Sequence, residues 1–274
     1  MKLKYKINIV FSHKKKSSHK DWRAKLFLPP ALLLAWFFLN LRVSANKVSI
    51  ISIFFPIIGS FFLTSQDLKI IFLGSFGILI YFVLDYSDGA IAKISKTRGP
   101  NGIFLDLLMH PIAVISTVVG ISIGAVISTG SHLIPLAILT IVATLIANIK
   151  YAYIWFALSF FNFDKKNISI NYLKEIPQKI KKDKNDIYAL LNNFCTFVFH
   201  ENYLVFTLPL ISLGYLFFNF SIDFRLVIVS IGAILYLPIS LISIIKIIKN
   251  NKVYYSYLKS KNRSHSSVEQ SIFE

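Results

Sequence analysis

Six apolar runs, at 48–63, 68–84, 103–127, 133–161, 203–220 and 226–248, punctuate this chain of 274 residues. Each approaches the length that a hydrocarbon core of about 30 Å demands at a rise of about 1.5 Å per residue, the first two being short. With 55% of the residues hydrophobic, a water-soluble domain of this size has no interior large enough for them, so the expected solvent is a membrane. Lipid offers no partners to a backbone amide, and an open strand leaves its amides unpaired, so the runs must be helices. The fold class is therefore all-α: a polytopic membrane protein of about six transmembrane helices.

Sidedness follows from charge. Thirty Lys and Arg stand against 13 Asp and Glu, a net charge of +17, which by itself suits nucleic acid as well as an anionic membrane surface. The charges fall between the apolar runs, however, and so read as topology signals and headgroup contacts; nucleic acid is not an expected partner, and membrane lipids are. With six spans and both termini in the cytosol, the outer loops hold only Lys69 and Arg225, while the inner segments hold 27 of the 30 basic residues. Lys150 lies inside the fourth run.

A seventh apolar stretch, 26–41, follows a basic leader and precedes the small residues Val43, Ser44 and Ala45. Cleavage after Ala45 would invert every later loop, and a full span would export the Lys-rich leader; both contradict the charge pattern. The stretch is expected to be an interfacial, amphipathic juxtamembrane helix that starts at Pro29-Pro30. The expected organisation is a basic cytosolic leader with this helix over 1–45, a six-helix domain over 46–250 with a cytosolic loop at 162–202, and a disordered cytosolic tail over 251–274. The one cysteine, Cys195, falls in that loop, excludes an intrachain disulfide and is expected to be inert.

Between Asp67 and Asp164 the only acidic residues are Asp85, Asp88 and Asp106, all at the cytosolic ends of apolar runs. Each charge at membrane depth costs about 2.5 to 3.5 kcal/mol even on insertion scales, so three together call for a cation or a wet cavity. Asp85 and Asp88 share a helix face at i and i+3, and Asp106 shares one with His110 at i and i+4. The turn 98–102, Arg-Gly-Pro-Asn-Gly, separates the two helices and allows them to pack antiparallel. Clustered carboxylates suit a hard divalent metal, Mg2+ or Mn2+, which neutralises a diphosphate and polarises its phosphorus. Gly89 and Ala92 leave room on the helix for a nucleotide, and Lys93 can reach phosphate oxygens.

Asp85, Asp88, Gly89, Ala92, Lys93, Gly102, Asp106 and His110 overlay the pattern D-x-x-D-G-x-x-A-R, eight residues, G-x-x-x-D-x-x-x-D, with six of the eight positions matching. In this the chain resembles the CDP-alcohol phosphatidyltransferases. The segment 45–49, Ala-Asn-Lys-Val-Ser, resembles the Pro-Asn-x-x-Thr that opens the family's first span, and the resemblance covers about 22–120. It implies a transferase in which an alcohol hydroxyl attacks the phosphorus bearing the donor alcohol and CMP leaves. The partners it implies are a CDP-linked donor and an alcohol or lipid acceptor, with phospholipid synthesis as the pathway; a homodimer is compatible with it. Asp85, Asp88 and Asp106 would be metal ligands, and Gly89, Ala92, Lys93 and Gly102 would form the nucleotide site.

Two positions depart from the pattern. Lys93 keeps the charge of the family's Arg without its bidentate fork. His110 stands where the family has its last Asp, its general base and a ligand of the second metal; imidazole is a competent base and favours Mn2+ or Zn2+ over Mg2+ as a ligand. Lys150 and Arg98 are further candidates for an acceptor or lipid phosphate, with snorkelling to the headgroups as the alternative for Lys150. Two other functions remain open: a membrane binding or scaffold protein of the same fold with weakened chemistry, and a transporter using the aspartates for a coupling ion.

Overall fold

A computed structural model describes residues 22–97, 99–163, 201–218 and 222–250, together with 190–191, 194–195 and 198–199. The basic leader, most of the 162–202 loop, the tail and Arg98 lie outside the described residues. Within them the chain is all helix, with no strand: α1 (Trp22–Asn40), α2 (Ala45–Leu63), α3 (Leu68–Ile94), α4 (Pro100–Thr129), a 3-10 turn (Ser131–Leu133), α5 (Ile134–Phe163), α6 (Glu201–Phe218), α7 (Phe224–Ile231), a π turn (Gly232–Tyr236) and α8 (Leu237–Asn250).

Five segments are long and apolar enough to cross a membrane: Ala45–Leu63, Leu68–Ile94, Phe104–Thr129, Ser131–Asn148 and Phe224–Ile245. The run at 203–220 forms α6, whose apolar part, Thr207–Phe218, is shorter than a full span. Large apolar side chains such as Ile50, Phe54 and Ile58 on α2 and Leu73 and Phe76 on α3 point outward, as lipid-facing helices require. The chain is a polytopic all-α membrane protein.

The segment before α2 is helical, but it starts at Trp22 rather than at Pro29-Pro30. Pro29 and Pro30 lie inside this helix, where each ring holds a helical φ but removes a backbone N–H donor. One face of α1, with Leu32, Ala35 and Leu39, packs on Ala45, Val48, Leu84 and Ile91. The opposite face carries exposed Leu33 and Phe37, so both sides of the helix are apolar.

Although α3 and α4 are consecutive, α2 is the helix that packs along both of them, and direct approach between α3 and α4 is slight. The sequence expectation of two carboxylate helices side by side is therefore corrected to a three-helix arrangement with α2 as the common neighbour. Small residues make it possible. A Cβ on Gly74 would stand 2.6 Å from the Gly59 carbonyl oxygen, so only glycine allows α2 and α3 to come this close.

The chain leaves α3 through a sharp stop. Ser95 caps the helix, Lys96 takes a left-handed φ of 57°, and the Thr97 amide donates to the Ala92 carbonyl at 3.0 Å, the pattern of a Schellman cap. Gly99 and Pro100 then start α4, with proline in the first turn, where its missing N–H removes no helical bond. At the opposite end of the bundle, Arg225 donates to the carbonyls of Leu63 at 2.8 Å and Ser65 at 2.6 Å and to Asp223 at 2.7 Å, closing the end of α2 against the start of α7.

Candidate metal centre

The short connection from α3 to α4 brings the last turns of α3 level with the first turns of α4, beside the start of α2. Asp85 and Asp88 come from α3 and Asp106 from α4, and one carboxylate oxygen of each lies within 4.8 Å of the others. Burial grades across the three: Asp88 is 5% exposed, Asp85 half-buried and Asp106 exposed. The cluster is thus deep on its α2 side and open at Asp106.

Asp88 is held from α2, where Ser49 Oγ donates to its Oδ2 at 2.5 Å. Ser49 belongs to the 45–49 segment already singled out in sequence, one turn on from Asn46. His110 faces the cluster from the next turn of α4 beyond Asp106. Its Nε2 is 3.8 Å from Asp85 Oδ1, and its Nδ1 is 3.0 Å from the hydroxyl of Tyr81. Tyr81 is fully buried, packed with Met109 and Ala113 against Ile53, Phe55 and Leu105. Its ring meets the imidazole edge to face, at 83°.

The other expected site residues divide. A Cβ on Gly89 would meet nothing within 4 Å, so open space adjoins the backbone next to Asp88. Gly102 lies near the Asn46 side chain, its added Cβ 3.9 Å from Asn46 Oδ1. Lys93 is exposed on the last turn of α3. Ala92, expected to face a nucleotide, is half-buried against the cluster of Leu32, Ala35 and Leu39 under α1. Lys150 is on α5, its side chain outside the described residues, as is Arg98.

Sequence reasoning missed Tyr81 and gave Ser49 no role. Tyr81 precedes Asp85 by four residues, so it shares that helix face, and this spacing was the available signal.

Three carboxylates this close repel one another in a poorly hydrated setting, and a bound cation removes that repulsion. Oxygen donors about 2.1 Å from one ion lie up to roughly 4.2 Å apart. A 4.8 Å cluster therefore closes on one ion with small side-chain shifts, and on two if they stand about 3.5 to 4 Å apart. The donor set fits a hard divalent metal. Compared with known proteins, the chain matches no family model and no curated protein, so the functional reading rests on the site and its motif.

Proposed function

We propose that this protein is a membrane-embedded phosphotransferase that moves a phospho-alcohol or phosphatidyl group from a CDP-linked donor to an alcohol hydroxyl and releases CMP. The observation that carries this reading is the meeting of Asp85, Asp88 and Asp106, each from the motif, within 4.8 Å. A divalent metal there, Mg2+ or Mn2+, would neutralise the diphosphate and polarise the phosphorus under attack.

The residues divide the remaining work. Asp85, Asp88 and Asp106 hold the metal, Ser49 orients Asp88, and the space beside Gly89 admits the donor's nucleotide. Lys93 supplies positive charge to the diphosphate. The acceptor oxygen forms a bond to the phosphorus bearing the donor alcohol. The bond from that phosphorus to the bridging oxygen breaks, and CMP leaves with the electron pair. The hydroxyl proton passes to a base at the rim, where Asp106 and His110 both stand. The charge asymmetry of the loops supports a cytosolic site, where CDP-linked donors are soluble or membrane-bound.

The test is CMP formation by the purified protein, offered CDP-diacylglycerol, CDP-choline or CDP-ethanolamine with lipid and small-alcohol acceptors. Metal-dependent CMP release from one donor class is the expected result. A folded protein that releases no CMP from any donor with Mg2+ or Mn2+ would sink the enzyme reading and favour the scaffold.

A further inference from the structure

We infer that the end of the bundle opposite the aspartate cluster is a fixed closure, made by Arg225 and by backbone contact of α2 with α3 and α4, so that the cluster has one mouth, at its own end. The inference rests on the reading of the aspartates as the site and adds its route of access. Two independent observations lead to it.

The first is the pairing of Arg225, which is 2% exposed. All three guanidinium nitrogens are engaged. Nη1 donates to the carbonyls of Leu63 at 2.8 Å and Ser65 at 2.6 Å, while Nε and Nη2 donate to Asp223 Oδ2 at 3.0 Å and 2.7 Å. The carbonyls are those left over at the C-terminal end of α2, where a cation is favoured. Asp223 caps the start of α7, where an anion is favoured, and accepts from the Arg225 amide at 2.9 Å. From the last turn of α4, Ser128 donates to the same carboxylate at 2.7 Å. One ion pair thus ties α2, α4 and α7, and parting them would strand a buried guanidinium, a heavy penalty.

The second is the spacing of the helices. In α4 the pattern Gly120-x-x-x-Gly124 is of the kind that lets helix backbones touch. A Cβ on Gly120 would collide with the Ser60 carbonyl, and one on Gly124 with the Leu63 carbonyl and Arg225. The contact of Gly59 with Gly74 brings α3 against α2 at the same end. At the aspartate end the relation reverses. A Cβ on Gly89 or Gly99 would meet nothing within 4 Å, and on Gly102 the nearest atom would be 3.9 Å away.

A carrier cycle requires each end of a bundle to open in turn. With one end locked, donor, acceptor and CMP all pass on the side of the aspartates, and coupled transport through the bundle is excluded. Arg225 is the side chain on which the closure depends.

The experiment is thiol labelling of the full-length protein in sealed vesicles, carrying Cys195→Ser and Ser122→Cys, with a membrane-impermeant maleimide added on the Arg225 side. Ser122 is fully buried and lies between the two glycines of α4. Labelling is expected to stay at background with and without Mn2+ and CDP. Adding Arg225→Ala is expected to raise it about tenfold or more, and Asp223→Asn, which keeps the shape of the clamp, to raise it less. Thr97→Cys, exposed at the aspartate end, is expected to label from its own side and reports vesicle orientation. Labelling of Ser122→Cys that appears on the Arg225 side with Mn2+ and CDP overturns the closure. So does background labelling in a folded Arg225→Ala protein or, if that variant does not fold, in Asp223→Asn. Thiol labelling does not depend on CMP release, so either result leaves the phosphotransfer reading to its own assay.

Discussion

Ser49 Oγ stands 2.5 Å from Asp88 Oδ2, and through this one contact α2 holds the most buried carboxylate of the cluster. The same hydroxyl also reaches the Ala45 carbonyl at 3.2 Å, so the serine is tied to its own helix while it supports the next. A hydrogen bond to an ionised acceptor is worth about 1.5 to 3 kcal/mol. Ser49→Ala leaves Asp88 without it in a buried setting. We expect Mn2+ affinity to fall about tenfold, by isothermal titration, while Ser49→Thr keeps most of it. Equal affinities in Ser49→Ala and wild type would remove Ser49 from the site.

Asp88→Asn and Asp106→Asn keep shape and remove charge. Each is expected to reduce metal-dependent CMP release at least a hundredfold while the far-ultraviolet circular dichroism stays that of a helical bundle. Full activity in either variant would refute the assignment of the cluster.

Gly89 offers a test of donor access. Because an added Cβ meets nothing within 4 Å, Gly89→Leu should fold, and the better helix former should raise stability by up to about 0.8 kcal/mol. The leucine would fill the space beside Asp88. The expected outcome is an unchanged or slightly higher Tm with at least a tenfold rise in the donor KM. A lower Tm with an unchanged KM would mean that this space is not where the nucleotide lies.

At the other end of the bundle the pH dependence of stability has a defined sign. Burial would push the Asp223 carboxyl up, but hydrogen bonds from the Arg225 side chain, from Ser128 and from the Arg225 amide outweigh it and hold the carboxyl below its ordinary value. A carboxyl lowered on folding stabilises the fold above its unfolded pKa of about 3.9, and that contribution is lost as pH falls through the lower folded value. Thermal melts in detergent should therefore show wild type above Asp223→Asn at pH 7, with the gap closing below about pH 4. A gap that is constant from pH 7 to pH 3 would contradict this.

Much of the fold was legible because lipid leaves few choices. Apolar runs of span length become helices, and α2, α3, α4, α5 and the α7–α8 unit follow the runs closely. The aspartates stood out for the same reason, being the only acidic groups in a long apolar region. Periodicity gives the face of a helix but not its neighbour, so the placing of α2 against both α3 and α4 was not readable. Tyr81 was hidden because a tyrosine in an apolar run is ordinary. The turn after α3 was misjudged in detail because its left-handed residue is Lys96, where sequence rules expect glycine. Ala92 matches the motif in sequence and is partly buried against the residues under α1, a contact that spacing alone does not reveal.

The central claim is that the aspartate cluster is a metal centre for CMP-releasing phosphotransfer. It is tested most directly by one preparation of wild-type protein in lipid, with its productive CDP-linked donor and acceptor, assayed for CMP before chelation, after chelation and after return of Mn2+. CMP formation that falls to background on chelation and recovers with Mn2+ is the result expected. CMP formation that persists after chelation, or no CMP from any CDP-linked donor by the folded protein with Mn2+ or Mg2+, would contradict it.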